Sequence, residues 1–432
     1  MIKSQFALFK SRKFAPLFAT MFLGAFNDNF FKSAMVILIT YRLADEAAVD
    51  ARILVTLAAG VFILPFVLFS ALAGQLADKY ERSGLVRKIK LAEIVVMSGA
   101  VVGFYSESIT ILMIILFLMG AQSAFFGPLK YSILPQHLEE DELIGANALV
   151  EMGTFLSILI GTIFGGLFVL GGRGIVLVSV LVLSMAALGW AASFYIPPTR
   201  VVNPLLEFRF NIFRETIALV GSVWPKRDIF LSVLAISWFY FVGGTFLSQF
   251  PTYAKIVLGA DEEVATLFLA VFSVGIGVGS LACNGLLKGE VSGRYVPHAA
   301  IGIAVLSALL YLVSARAPLP DGASLVTVRG FFSSPANIAV LACLCGISFF
   351  GGLYIVPLYA VIQSRSEESM LASVTACTNI MDSLFMVVSS LLTTAMLAAG
   401  MPIPRIFLVV AVLTLIAACI IRRVVHAQTR RY

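Results

Sequence analysis

The sequence predicts an all-α membrane protein: twelve transmembrane helices arranged as two six-helix bundles. Three observations carry this. The chain of 432 residues is 60% hydrophobic and only 12% charged, with a mean hydropathy of +0.99. A soluble domain is nearer roughly 45–50% apolar and about 25% charged. The apolar residues gather into twelve runs, each close to or above the roughly 20 residues a helix needs to cross a bilayer. A more polar stretch, residues 197–228, then divides these runs six and six.

The runs are bounded by charges or by Pro and Gly. They lie at about 14–42, 52–77, 85–105, 109–135, 143–170 and 174–196 in the first half. In the second half they lie at 229–254, 263–287, 295–315, 336–362, 370–399 and 403–421. They are called spans 1 to 12 below. The basic N-terminus, MIKSQFALFKSRKF, resembles the start of a signal peptide, but the run after it is too long for a signal h-region and lacks a clear cleavage site. It reads as a retained first span. The organisation that follows is an N-terminal bundle (1–196), a linker (197–228) and a C-terminal bundle (229–432).

The net charge of +6 and pI of about 9.1 would suit nucleic acid, but the positions of the charges argue for topology instead. With the N-terminus inside, 22 of the 30 Lys and Arg residues fall in the N-tail, residues 79–90, Lys130, residues 200–227, 288–294, Arg365 and the C-tail. Seven fall on the other side, and Lys32 alone is left in mid-membrane. Basic loop residues mark the cytoplasmic side, so both termini are expected there. The five cysteines lie in apolar runs with no metal spacing and no disulfide framework. Within the linker, Leu205, Phe208, Ile212 and Leu219 fall near one helical face, the pattern of a helix on the inner membrane surface; an ordinary polar linker is the alternative.

Span 1 contains GAFNDNFFKSAM, with Asn27, Asp28, Asn29 and Lys32 in the middle of an apolar run. Each charge at a helix centre costs about 2.5–3.5 kcal/mol on insertion scales. Asp28 and Lys32 are at i,i+4, so their side chains are able to meet. Gly24, Asn27, Asp28, Lys32 and Met35 share one face, and Phe22, Phe26 and Phe30 lie on the other. This suits either a helix lining a wet cavity or a neutralised pair that locks helices together.

Span 4 carries GPLKYSILPQHL. Pro128 and Pro135 should loosen the helix and free backbone carbonyls, which is tolerated beside a cavity. Lys130 between them is a point charge suited to phosphate, or a residue that snorkels to the interface. Tyr131 adjoins it. In span 5, Asn147 and Glu151 lie about as deep as Lys130, and Glu151 fits either its ion-pair partner or a site for an ammonium group. Asp382 in span 11 is the one charge clearly within a span of the second half. FFGPLKYSILP in span 4 echoes FFGGLYIVPLY in span 10, the place that duplicated halves would put a repeat.

The loop GQLADKYERSGLVRK, Gly74 to Lys88, resembles the signature loop of the major facilitator superfamily. Gly74, Asp78, Lys79 and Arg82 match it, while Glu81 stands where the usual second Gly would be. The resemblance implies that these residues latch neighbouring helices in one conformational state. It also implies a peripheral third helix, so Glu93 reads as structural. FNDNFFK, GPLKYSILPQHL and NALVEMGTFLSILIG are together similar to the bacterial lysophospholipid transporter family over essentially the whole chain. The similarity extends to the transporter module that some bacteria fuse to an acyltransferase and an acyl–acyl-carrier-protein synthetase. What this implies is inward movement of lysophosphatidylethanolamine and related lysolipids across the inner membrane for reacylation, with those enzymes as partners and no cofactor. The chain ends at RRVVHAQTRRY, so a fused enzymatic half is expected to be absent.

Two other readings stay open: a proton-coupled exporter of amphipathic molecules, and a non-transporting membrane platform for acyltransferase domains. Enzymatic readings find little. QHLEEDEL misses the acyltransferase H-x-x-x-x-D spacing by one residue and reads as an acidic start to span 5, favoured by the helix dipole. No P-loop appears. The loop 316–335, with Phe331 and Phe332, is expected to lean on the outer leaflet.

Overall fold

The structure is a computed structural model and describes residues 5–43, 51–315 and 325–429. Among these residues twelve helices are 19 residues or longer. The first six are α1 (Ala15–Leu38), α2 (Ala51–Lys79), α3 (Arg82–Tyr105), α4 (Ile109–Ser132), α5 (Leu143–Val169) and α6 (Gly174–Ser193). The second six are α7 (Arg227–Thr252), α8 (Glu262–Leu287), α9 (Val296–Ser314), α10 (Pro335–Arg365), α11 (Leu371–Ala398) and α12 (Ile403–Thr429). Eleven are long and apolar enough to cross a membrane. The exception, α3, carries Lys88, Lys90 and Glu93.

The helices start and stop where the local chemistry directs. Glu81 caps α3 by accepting from the Ser83 and Gly84 amides at 2.9 and 2.6 Å. Ser108 and Asp261 cap α4 and α8 in the same way. Glu139 and Glu142 form a capping box ahead of α5, so the acidic QHLEEDEL stretch is a helix start. Span 4 breaks sooner than its apolar run: α4 ends at Ser132, and a separate turn, Leu134–His137, carries Pro135 as its second residue.

In the first half α1 packs on α5 and α6, α2 on α4, and α3 on α4 and α6; in the second, α7 packs on α11, α8 on α10, and α9 on α10 and α12. Gly161 and Gly165 let the α1 backbone come close to α5: a β-carbon on either would strike the carbonyl oxygens of Phe26 or Phe30. Between the halves, α2 packs on α11, α5 on α8 and α10, and α4 on α11. These contacts gather at the end of the bundles that holds the start of α1, the α2–α3 turn and the linker, called the linker end below. One apolar core runs from the second bundle into the linker-end half of the first. A separate core fills the far half of the first bundle.

Two expectations are corrected here. The linker helix covers Ile212–Val223, so Leu205 and Phe208 are not part of it. It turns Ala218 and Leu219 toward α2 beside Gln75 and exposes Phe213 and Ile217, flanked by exposed Phe210 and Trp224. The exposed apolar row therefore differs from the one expected. In the loop 316–335, expected on the outer side, residues 316–324 lie outside the described residues. Phe331 does not lean outward: it is fully buried, edge-on to Phe268 at 5.7 Å. Val326 pairs with the backbone of Gly259 and Asp261, which draws the loop onto the bundle. Only Phe332 of the two aromatics is exposed.

Candidate functional site

The site grows out of two local defects in α4 and a polar stripe on α1. Proline lacks an N–H, so Pro135 deprives the Tyr131 carbonyl of its helical donor. The Gln136 amide turns to Ile133 instead of Ser132. Two carbonyls are thus left over, and a buried carbonyl must find a donor. Gln363 Nε2 of α10 supplies Tyr131 at 3.1 Å, and Arg82 Nη1 supplies Ser132 at 2.8 Å. The expected freeing of carbonyls is realised at Pro135, and both carbonyls are captured by other helices.

On α1, the expected stripe divides. Asn27 is wholly buried and donates to Glu93 Oε1 of α3 at 3.1 Å. Glu93 Oε2 accepts from Lys90 at 2.7 Å and from Gln122 of α4 at 3.1 Å. The Lys90 ammonium also lies over the Phe126 ring at 4.7 Å and against Gly24. Lys90, counted above among the basic loop residues, is therefore a buried member of the first bundle. A buried ion pair needs its remaining hydrogen-bonding capacity filled to be tolerated, and the two amides do this for Glu93.

Asp28, Asn29 and Lys32 are half-buried although they lie well inside the helix. Asp28 Oδ2 accepts from Ser123 of α4 at 2.6 Å. Lys32 donates to Asn29 Oδ1 at 3.1 Å and lies over the Phe62 ring of α2 at 5.1 Å. The expected contact between Asp28 and Lys32 is not made. Spacing puts the two on one face, but α4 draws one side chain and α2 the other.

Lys130 and Glu151 are likewise not an ion pair. Lys130 donates to Thr154 Oγ1 of α5 at 3.0 Å and lies over the ring of Tyr131 at 4.9 Å. Glu151 accepts from the Tyr131 hydroxyl at 2.6 Å. The Tyr131 ring stacks on Tyr359 of α10, with centroids 4.0 Å apart and planes 8° apart, and Tyr359 meets the hydroxyl of Tyr240 at 3.4 Å. The echoing segments of spans 4 and 10 thus touch across the bundle boundary. Asn147, one turn before Glu151, pairs with Gln363 at 2.6 Å. Asp382 is buried and accepts from Ser237 of α7 at 2.7 Å.

At the linker end Gly74 packs so tightly on α11 that a β-carbon would lie 2.9 Å from Ala376 Cβ and 3.2 Å from the Ser373 α-carbon. Asp78 Oδ2 accepts from Ser373 at 2.6 Å, and Asp78 Oδ1 lies 3.4 Å from the Arg82 guanidinium. Arg82 is fully buried and also donates to the Ala77 carbonyl at 3.1 Å. Lys79 takes no part in this lattice and lies over the Tyr80 ring. Glu81 adds two bonds from Thr199, at 2.8 and 2.9 Å, to the amides it caps. Burial opposes ionisation of Glu81, but these hydrogen bonds outweigh it and hold its carboxyl below the ordinary value.

Sequence reasoning offered Lys32 as the partner of Asp28 and Glu151 as that of Lys130, and the packing replaced both; for Asp78 and Arg82 it named no partner. It missed Lys90, Gln122, Ser123, Thr154, Tyr359, Gln363 and Ser373. Only Lys90 and Glu93 carried a signal, two opposite charges at i,i+3 in an apolar run; the others are common polar residues of membrane helices.

Comparison with known proteins agrees with this architecture. The profile of the Major Facilitator Superfamily matches residues 17–328. The lysophospholipid transporter LplT of Cronobacter sakazakii is 27% identical over 362 residues, covering 83% of this chain and 82% of the relative. LplT of Salmonella gallinarum is 25% identical over 365 residues with the same coverage. The crystal structure of the E. coli fucose:proton symporter FucP superposes with a TM-score of 0.69 at 15% identity, covering 98% of this chain and 99% of that one. The twelve helices, their division six and six, and the extent of the profile match together make this chain a member of the major facilitator superfamily.

Proposed function

We propose that the chain moves lysophospholipids across a bacterial inner membrane by alternating access, from the outer leaflet to the cytoplasmic one. One observation carries this reading: Asp28, Lys32 and Lys130 are each held by a neutral group, Ser123, Asn29 and Thr154, rather than by an opposite charge. Charges left half-buried without a direct ion pair are costly in a membrane, and a ligand bearing both signs relieves that cost. A phosphoethanolamine head does so, with phosphate toward Lys130 or Lys32 and ammonium toward Asp28. Phe155, Phe239 and Tyr240 supply the apolar and aromatic wall that a single acyl chain fits. The likeness to relatives named as lysophospholipid transporters, over most of both chains, supports the same substrate class.

The linker end is cytoplasmic in this reading, since most Lys and Arg residues gather there. The linker helix then lies in the membrane interface with Phe210, Phe213, Ile217 and Trp224 among the head groups. An acyltransferase acting at the cytoplasmic leaflet consumes the delivered lysolipid. The test is uptake of labelled lysophosphatidylethanolamine by proteoliposomes, beside diacyl phosphatidylethanolamine and a cationic dye. Selective uptake of the lysolipid is expected. Movement of the dye with no lysolipid uptake would instead mark an exporter of amphipathic molecules, and movement of neither a platform.

A further inference from the structure

Resting on the alternating-access reading above, we infer that Gln363 is a gate residue that helps hold the linker end shut. It acts by capping a carbonyl that Pro135 strips of its helical donor. Gln363 sits in the last turn of α10 and is 4% exposed. Its side-chain amide makes three bonds to the opposite bundle. Nε2 donates to the Tyr131 carbonyl at 3.1 Å and to Asn147 Oδ1 at 3.2 Å. Oε1 accepts from Asn147 Nδ2 at 2.6 Å. Asn147 is itself fully buried and also donates to the Leu143 carbonyl at 2.9 Å.

Tyr359, one turn earlier on the same face of α10, grips the same residue by its ring. Tyr131 is therefore held twice, ring and carbonyl, by residues four apart on one helix. Asn147 and Glu151, also four apart, form the matching pair on α5. The result is a two-rung ladder between the bundles: Asn147 with Gln363, and Glu151 with Tyr131 and Tyr359.

The chemistry makes the ladder reversible. In the shut state the Tyr131 carbonyl and the two amides are buried and satisfied by one another and, for Asn147, by the Leu143 carbonyl. Were the bundles to part at this end, water would enter and replace each bond at little net loss, because a hydrogen bond in water and one in protein differ modestly. An apolar contact here would specify no register. An intact helix at 131–135 would leave no carbonyl to cap. The proline break and the glutamine are thus one device, and Gln363 is a positioning residue rather than a ligand for the substrate.

The test places spin labels at Glu139→Cys and Ser369→Cys, both exposed at the linker end and on opposite bundles. The exposed Cys345 and Cys419 are replaced by serine, and distances are measured by pulsed electron paramagnetic resonance. Gln363→Leu is expected to lower the ratio of short to long distances about tenfold, the worth of a net hydrogen bond or two. Gln363→Glu keeps the size but loses the donor, so it should act in the same direction; it stands in if the leucine variant does not fold. Combining Gln363→Leu with Pro135→Ala, which returns a helical N–H to Tyr131, should recover part of the short population. An unchanged distance ratio in a folded Gln363 variant, or a drop in thermal stability with the ratio unmoved, overturns the gate. The distances need no substrate, so failed lysolipid uptake by the parent protein would count against the proposed cargo and leave this result standing.

Discussion

Ser373 donates to Asp78 over 2.6 Å and so joins α11 of the second bundle to the end of α2 in the first. The carboxylate that receives this bond also faces the fully buried guanidinium of Arg82, whose remaining donors hold the Ala77 and Ser132 carbonyls. One carboxylate thus ties the arginine that begins α3, a broken helix and the opposite bundle together.

Asp78→Asn keeps an acceptor for Ser373 but leaves Arg82 buried without an anion. Losing one partner of a buried pair costs on the order of 3 kcal/mol. The expected outcome is a lower thermal midpoint in detergent and slower lysolipid uptake. Adding Arg82→Met should recover stability in part. A single variant as stable as the parent would remove the ion pair from the lock.

Asp28→Asn retains a partner for Ser123, so the protein should insert and fold normally. It removes the charge that an ammonium would meet, and hydrogen bonds to charged groups are worth about 1.5–3 kcal/mol. Uptake of lysophosphatidylethanolamine is expected to fall about tenfold or more. Uptake at the parental rate would mean that the α1 stripe is structural.

Lys130→Met keeps the length of the side chain and discards its charge. Because Glu151 takes its bond from Tyr131 and not from Lys130, the variant should be stable. Reconstituted vesicles should show a similar fall, about tenfold, in lysolipid uptake. If instead stability drops and uptake per folded molecule is unchanged, Lys130 belongs to the scaffold.

Glu93→Leu strands Lys90 in the first bundle and removes the acceptor of Asn27 and Gln122. A loss on the order of 3 kcal/mol is expected, read as a lower unfolding midpoint. The double variant Glu93→Leu with Lys90→Met should be more stable than the single one, which a double-mutant cycle measures directly. Additive effects would show that the pair is not coupled.

Glu81 supplies an acid-dependent term. Its folded-state pKa lies below the ordinary value, so the folded state favours the ionised carboxylate. The stabilisation is present above the unfolded-state pKa and is lost as pH falls through the depressed folded value. Glu81→Gln should lower stability at neutral pH and flatten the dependence between neutral and acidic pH. Melting curves recorded across that range test this; parallel curves for the two proteins would exclude it.

The number and limits of the helices were legible in the sequence because they depend on local quantities. A run of about 20 apolar residues, a capping side chain or a proline acts within a few positions of itself. For the same reason the freeing of carbonyls by Pro135 was foreseeable, as was the placing of charge on α1, α4 and α5. Partners were not. Asn27 reaches Glu93 66 residues away, Asp28 reaches Ser123 95 away, Asp78 reaches Ser373 295 away and Tyr131 is capped by Gln363 232 away. For Asp28 sequence spacing offered a nearer candidate, Lys32, and for Lys130 it offered Glu151. The nearer candidate lost because a side chain on one helix points at whichever neighbouring helix the packing brings opposite it. Sequence alone determined which residues are polar in an apolar setting. The tertiary structure decided which of them satisfy one another and which make no ion pair, since that depends on how α1, α4, α5 and α10 are packed.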